Sequence, residues 1–149
     1  MAESPGPSRS MEATSARLKA LADADPYAEL LRARLLVDDP ERLTVELEVA
    51  LRHTNFMGLV HGGAVYSLAD FALSLISNAE AEAVALDTHL VLAASARAGD
   101  RLTATAYPVT RSRSVATYRI TVERGDGRVV GIFTGTVFHR GRYPTGGAR

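Results

Sequence analysis

The order of elements in this chain predicts an α+β domain, with an antiparallel sheet wrapped around one long helix. Three stretches carry that expectation. Leu43, Val45, Leu47, Val49 and Leu51 alternate with Thr44, Glu46, Glu48, Ala50 and Arg52, the period-2 pattern of a half-buried strand. Val65, Leu68, Ala69, Ala72, Leu73 and Ile76 then recur at three- and four-residue spacing, which is one face of a helix. Four more strand-like runs follow that helix. A single apolar stripe of this strength needs a sheet to cover it.

Residues 1–25 are expected to be a disordered or partly helical tail, Met1 to about Ser15 being rich in Ser, Pro, Ala and Gly. Within them, Ala13 to Ala24 has a weak apolar side formed by Leu18 and Leu21. The domain proper is expected over 26–140. Pro26 is placed to open a short helix from Tyr27 to Leu35, and Asp38-Asp39-Pro40-Glu41 is a turn signal. The strand around Val45 comes next, then a loop from Asn55 to His61, then the long helix, which should end at Glu80 to Glu82. Ala83 to Ala94 reads as the second strand, and Ala98-Gly99-Asp100 as a turn. Arg101 to Thr110 is the third, with Leu102, Ala104 and Ala106 on one side. Val115 to Arg124 and Arg128 to His139 flank Gly125-Asp126-Gly127, the clearest hairpin in the chain. The Gly-rich end, 141–149, should be flexible.

Composition excludes several functions. Lys+Arg and Asp+Glu number 17 each, so no charge excess advertises nucleic acid or a membrane surface. The absence of cysteine removes disulfides, thiolate metal ligands and a thiol nucleophile. The histidines at 53, 61, 89 and 139 have no metal-ligand spacing, and no Walker or Rossmann glycine motif occurs. No segment is apolar enough for a signal peptide or a membrane span, so a cytoplasmic protein is expected.

The chemistry gathers at the start of the long helix. A helix N-terminus offers unpaired N–H groups and a partial positive charge, and Gly62 and Gly63 would let a ligand oxygen approach them. Donors so placed can hold the oxyanion of an acyl transfer, and a carboxylate can attack the carbonyl or activate water. Asp70 is the one acid in the helix. It lies eight residues beyond Gly62, about 12 Å along the axis at 1.5 Å per residue. One helix therefore cannot present both groups to one carbonyl carbon. If both act, two antiparallel copies must meet, Gly62 from one and Asp70 from the other.

The segment Asn55-x-x-Gly58-x-x-His61-Gly62-Gly63, followed by Leu68-Ala69-Asp70 and Ser77-Asn78, resembles the signature of hotdog-fold acyl-CoA thioesterases, in particular the phenylacetic-acid-degradation (PaaI-type) branch. Arg111-Ser-Arg-Ser-Val-Ala-Thr-Tyr-Arg119 and Gly131-Ile-Phe-Thr-Gly-Thr-Val-Phe138 resemble the same branch, and the likeness runs from about Leu43 to Arg140. It implies the hotdog topology and thioester hydrolysis of an acyl-CoA, phenylacetyl-CoA or hydroxyphenylacetyl-CoA being the expected substrates. It further implies Asp70 as base or nucleophile, the Gly62 N–H as oxyanion donor with Gly63 permitting close approach, and Asn55 helping to hold the carbonyl or the water; read from the residues alone, the glycine pair equally permits a tight helix entry and Asn55 equally stabilises its own turn. His61 either orients the site or is a loop residue bonded to main chain. Ser77 is a candidate substrate contact, or an ordinary helix serine.

Arg111 and Arg113 suit the phosphates of coenzyme A, and equally suit a solvated strand end. Tyr66 and Leu73 lie near Asp70 on the helical wheel and are candidates for an acyl pocket or for plain packing. No cofactor is implied, because coenzyme A is part of the substrate and product. The expected partners are the acyl-CoA and further copies of the chain: a dimer with shared active sites, as a dimer of dimers (a homotetramer). Two alternatives share the scaffold: a hydratase or dehydratase on acyl-CoA, and a non-catalytic acyl-CoA-binding module.

Overall fold

The computed structural model describes residues 6–142. Its long helix, α3 (Gly62–Ser77), starts at the glycine pair and packs against five strands: β2 (Arg42–Glu48), β3 (Ala81–Leu92), β4 (Arg101–Arg111), β5 (Val115–Arg124) and β6 (Val129–Arg142). Every residue of the expected stripe is buried, and Ala64, Phe71, Leu75 and Ser77 are buried as well. The helix is therefore covered on most of its circumference, as befits the centre of a fold. Its open side runs along Gly63, Tyr66, Ser67, Asp70 and Ser74.

Small residues on the sheet let the helix lie close. Ala104 and Ala106 of β4 are fully buried beneath it. A Cβ on Gly135 of β6 would stand 2.5 Å from Leu73 Cδ2, so the sheet has no room for a side chain at that point. Leu43, Val45, Leu47, Leu102, Ile120, Val122 and Phe133 complete the apolar layer around the helix.

With β1 (Arg34–Asp39), the sheet of the described residues has six strands in the order β1-β2-β4-β5-β6-β3, all antiparallel. This is the expected hotdog arrangement with one strand more than the sequence pattern suggests. The additional strand, β1 (Arg34–Asp39), occupies part of the span assigned to a helix from Tyr27 to Leu35. The actual helix, α2 (Pro26–Leu31), stops because Arg32 adopts a left-handed conformation with φ 61°, its N–H capping the last carbonyls. Leu35 and Val37 then pair with Val45 and Thr44 in the β1–β2 hairpin. The expected turn at Asp38–Glu41 joins the two strands, Asp39 Oδ1 accepting the Glu41 N–H at 2.8 Å.

The N-terminal tail is also more ordered than its composition predicts. Helix α1 (Arg9–Ala24) is capped by Ser8, buries Leu18, and is tied to β1 by Ser15 and Lys19, which both reach Asp38. Strand β2 departs from half-burial: Thr44 and Glu46, on the face away from the helix, are buried too. Arg34 and Arg101 flank the Glu46 carboxylate from the neighbouring strands and account for its burial. The Gly125–Gly127 hairpin lies between β5 and β6 as expected, with Gly127 at φ 83°. Strand β6 takes in Gly141 and Arg142, so the sheet runs two residues into the expected flexible end, whose remainder lies outside the described residues. No helix among the described residues is long and apolar enough to cross a membrane.

Candidate active site

The loop before α3 is held by its own side chains. Asn55 Oδ1 accepts the N–H groups of Met57 (2.9 Å) and Leu59 (3.2 Å), closing a tight turn in which Gly58 has φ 72°. Both acceptor bonds use the amide oxygen, and the Asn55 NH₂ has no acceptor among the described residues. Thr54 and Val60 bridge the base of the loop. His61 is the N-cap of α3, and its Nδ1 accepts the Gly63 N–H at 2.8 Å. Consecutive capping bonds thus use the N–H of Gly63 and, through the His61 carbonyl, that of Ala64. The Gly62 N–H has no hydrogen-bond partner among the described residues. It sits at the positive end of the helix as a free donor, which is what an oxyanion contact needs.

Behind this loop stands a histidine that sequence reasoning passed over. His53 is buried, its Nδ1 accepts the Ala50 N–H at 2.9 Å, and its Nε2 faces the Leu31 carbonyl at 2.8 Å. With Nδ1 an acceptor, Nε2 carries the proton and donates it to Leu31. The His53 carbonyl accepts the His61 N–H at 2.7 Å. One neutral imidazole therefore couples the end of α2 to the cap of α3. Burial holds its pKa below the usual histidine value.

Asp70 faces a separate cavity of about 290 Å³ between α2 and α3. Asp25, Tyr27, Ala28 and Leu31 form one wall, and Ser67, Phe71 and Ser74 flank the carboxylate on its own helix. Burial, and then the negative charge of Asp25, push the Asp70 carboxyl above the ordinary range. The sequence pattern does not place α2 here, although Asp25-Pro26 is a helix-start signal, and Ser67 and Ser74 stand three before and four after Asp70. Tyr66 and Leu73 do not line this cavity. The Tyr66 hydroxyl bonds Thr88 Oγ1 at 2.7 Å, its ring packs edge-on to Phe133, and Leu73 packs over Gly135.

The remaining candidates meet at the other end of α3. Ser77, Arg111 and Arg113 line a cavity of about 240 Å³ together with Tyr118 and His139. Ser77 is buried, its hydroxyl turned to the Ser74 carbonyl at 3.4 Å. Arg111 pairs with Glu41 at 2.7 Å, while Arg113 is exposed and without an ion pair among the described residues. Within one chain, then, Asn55, His61, Gly62 and Gly63 cluster at the start of α3, Asp70 stands midway, and Ser77 with the two arginines closes its end.

The chain itself matches a known family. The thioesterase superfamily matches residues 57–131, which span the free Gly62 donor, Asp70 and most of the sheet. A curated candidate esterase of Deinococcus radiodurans is 44% identical over 119 residues, covering 79% of this chain and 82% of that protein. The chain belongs to the thioesterase superfamily. This thioesterase also resembles a mutant of the phenylacetic acid degradation protein PaaI from Thermus thermophilus, with 41% identity and a TM-score of 0.75 over 77% of this chain and 99% of that one. The PaaI protein of the E. coli phenylacetic acid degradation operon superposes with a TM-score of 0.85 at 26% identity, over 89% of this chain and 96% of that one. The fold is the hotdog fold, and the thioesterase is a thioester hydrolase.

Proposed function

We propose that this thioesterase hydrolyses acyl-CoA, with phenylacetyl-CoA or hydroxyphenylacetyl-CoA as its substrate, to the free acid and coenzyme A. Likeness to the two PaaI proteins supports the acyl group, and likeness to smu.793 of Streptococcus mutans UA159, bound to acetyl CoA and 26% identical, supports the coenzyme A portion. Coenzyme A enters as part of the substrate, so the reaction takes no cofactor.

One observation carries the mechanism: the unpaired Gly62 N–H and the cavity-facing Asp70 carboxylate lie on one helix, about 12 Å apart. A second copy, antiparallel to the first, resolves the distance. The Gly62 N–H of one copy, helped by the Asn55 amide, receives the developing negative charge on the thioester oxygen. Asp70 of the other copy takes a proton from water as the water oxygen bonds to the carbonyl carbon. The C–S bond then breaks, and that proton leaves with the thiolate of coenzyme A. Direct attack by Asp70, giving a mixed anhydride that water cleaves, uses the same groups. His61 and Gly63 position the donor, and Ser77, Arg111 and Arg113 receive the coenzyme A portion.

Two surfaces support the dimer. Strand β3 is a sheet edge of 12 residues with Leu86, Val91 and Leu92 exposed, a surface that soluble proteins cover or pair. Phe56, at the tip of the Asn55 loop, is 98% exposed. Pairing of two such dimers gives the proposed homotetramer.

The test is thiol release from phenylacetyl, hydroxyphenylacetyl, benzoyl and straight-chain acyl-CoAs by wild type and Asp70→Asn. Aryl-acetyl hydrolysis that falls at least about 100-fold in the variant is expected. Turnover confined to straight chains would remove the aryl-acetyl assignment, and full activity in Asp70→Asn would remove the mechanism.

A further inference from the structure

We propose that Asp25 is a positioning residue for Asp70: its fixed negative charge across the cavity makes the Asp70 carboxylate a stronger base toward the water or carbonyl that it meets. The proposal rests on the reading of Asp70 as the reacting group.

Asp25 cannot swing away from the cavity. It is the N-cap of α2, and its Oδ1 accepts the N–H groups of both Tyr27 and Ala28 at 3.0 Å. Among the described residues, the cavity between the two acids is lined by no Lys, Arg or His. The hydroxyls around it give Asp70 no relief either. Ser67 donates its proton to the Gly63 carbonyl at 2.7 Å, and Ser74 donates to Phe71 at 2.9 Å. The Tyr27 hydroxyl lies 3.3 Å from Ser67 Oγ, and because the Ser67 proton is already committed, Tyr27 is the donor in that pair.

Every hydroxyl proton in the cavity wall is thus spent elsewhere, and the Asp70 carboxylate accepts no hydrogen bond among the described residues. Helix α1, which also packs on α3, carries Arg17, whose guanidinium donates to the Ala79 carbonyl past the end of the helix at 2.8 Å. The strands present Leu43, Val45, Leu102, Ile120 and Val122 to the helix, and Tyr118 and His139 face only its far end. An ionised carboxylate without donors, facing a second one, is held in a high-energy charged state, and Asp25 supplies the part of that effect that a single substitution can remove.

The consequence is a shift in proton affinity that a structural role for Asp25 would not produce. Asp25→Asn keeps the α2 cap, because the amide oxygen accepts the same two N–H groups, and removes the charge. Two readouts are taken on the full-length protein: the acid limb of the pH profile of kcat/KM for thiol release, and the titration of Asp70 itself by carboxyl NMR on ¹³C-aspartate-labelled protein. Both midpoints are expected to move down by about half a pH unit or more. Asp25→Ser, which also caps, should act in the same direction and serves if the Asn variant does not fold. Midpoints that stay in place, or move up, overturn the proposal, as does a fall in plateau rate and Tm with no movement of the limb. Failure of the acyl-CoA reading is distinct: no thioester would be cleaved at any pH, and the carboxyl titration would still decide the role of Asp25.

Discussion

His61 Nδ1 occupies the space where a side chain on Gly63 would stand. The imidazole accepts the Gly63 N–H at 2.8 Å, and a Cβ built on Gly63 would lie 2.9 Å from the same nitrogen. The second glycine of the pair is therefore matched to the cap as well as to any ligand. Gly63→Ala should displace the imidazole and cost about 1 kcal/mol, the usual worth of an N-cap. His61→Asn, which can cap in its place, should recover most of that loss relative to His61→Ala. Thermal unfolding of the three variants checks the order.

The proposed sharing of sites between copies has its own signature. Gly62→Val should disturb the oxyanion donor, because a Cβ there would meet Leu92 Cδ1 at 3.0 Å and force the side chain or the start of α3 to shift. Asp70→Asn removes the acid. Each variant alone should be inactive, yet mixing equal amounts under conditions that exchange subunits should restore about a quarter of wild-type thiol release, since half the dimers are hybrid and each hybrid has one intact site. No recovery in demonstrably mixed dimers would remove the shared-site mechanism.

Asp70 should also be costly to the fold. Its carboxyl has a raised pKa in the folded state, from burial first and Asp25 second, so the folded protein holds that proton more tightly than the unfolded chain does. The stabilising contribution of the protonated form is complete below the unfolded value, near about 3.9, and is lost as pH rises through the folded value. At pH 7 the ionised group works against folding. Asp70→Asn is expected to have a higher Tm than wild type at pH 7, with the difference closing toward pH 4, as calorimetry across that range would show.

His53 has the opposite consequence. Burial lowers its pKa in the folded state, so the contribution of the neutral ring is complete above the unfolded value, about 6.5, and is lost as pH falls through the folded value. Protonation would put a proton on Nδ1, where the Ala50 N–H already points, and would strain the tie from α2 to the cap of α3. Stability should therefore decline below about pH 6.5, and His53→Gln should flatten that decline while lowering stability at pH 7. Urea unfolding at pH 5 and pH 7.5 tests both parts.

Sequence by itself determined the central helix, because Val65, Leu68, Ala72 and Ile76 need a covered face whatever surrounds them. It also determined the β5–β6 hairpin through Gly125-Asp126-Gly127, and the donor-rich glycine pair ahead of a lone acid. Local rules sufficed there, since periodicity and turn chemistry are properties of adjacent residues. Tertiary structure decided the rest. Arg34–Asp39 became a strand through pairing with β2, and α1 became a full helix through Leu18 and its ties to Asp38. The burial of Glu46 depended on Arg34 and Arg101, which arrive from two other strands. The wall opposite Asp70 was legible only once α2 had docked, because Asp25 and Asp70 are 45 residues apart and meet through packing that no local pattern encodes.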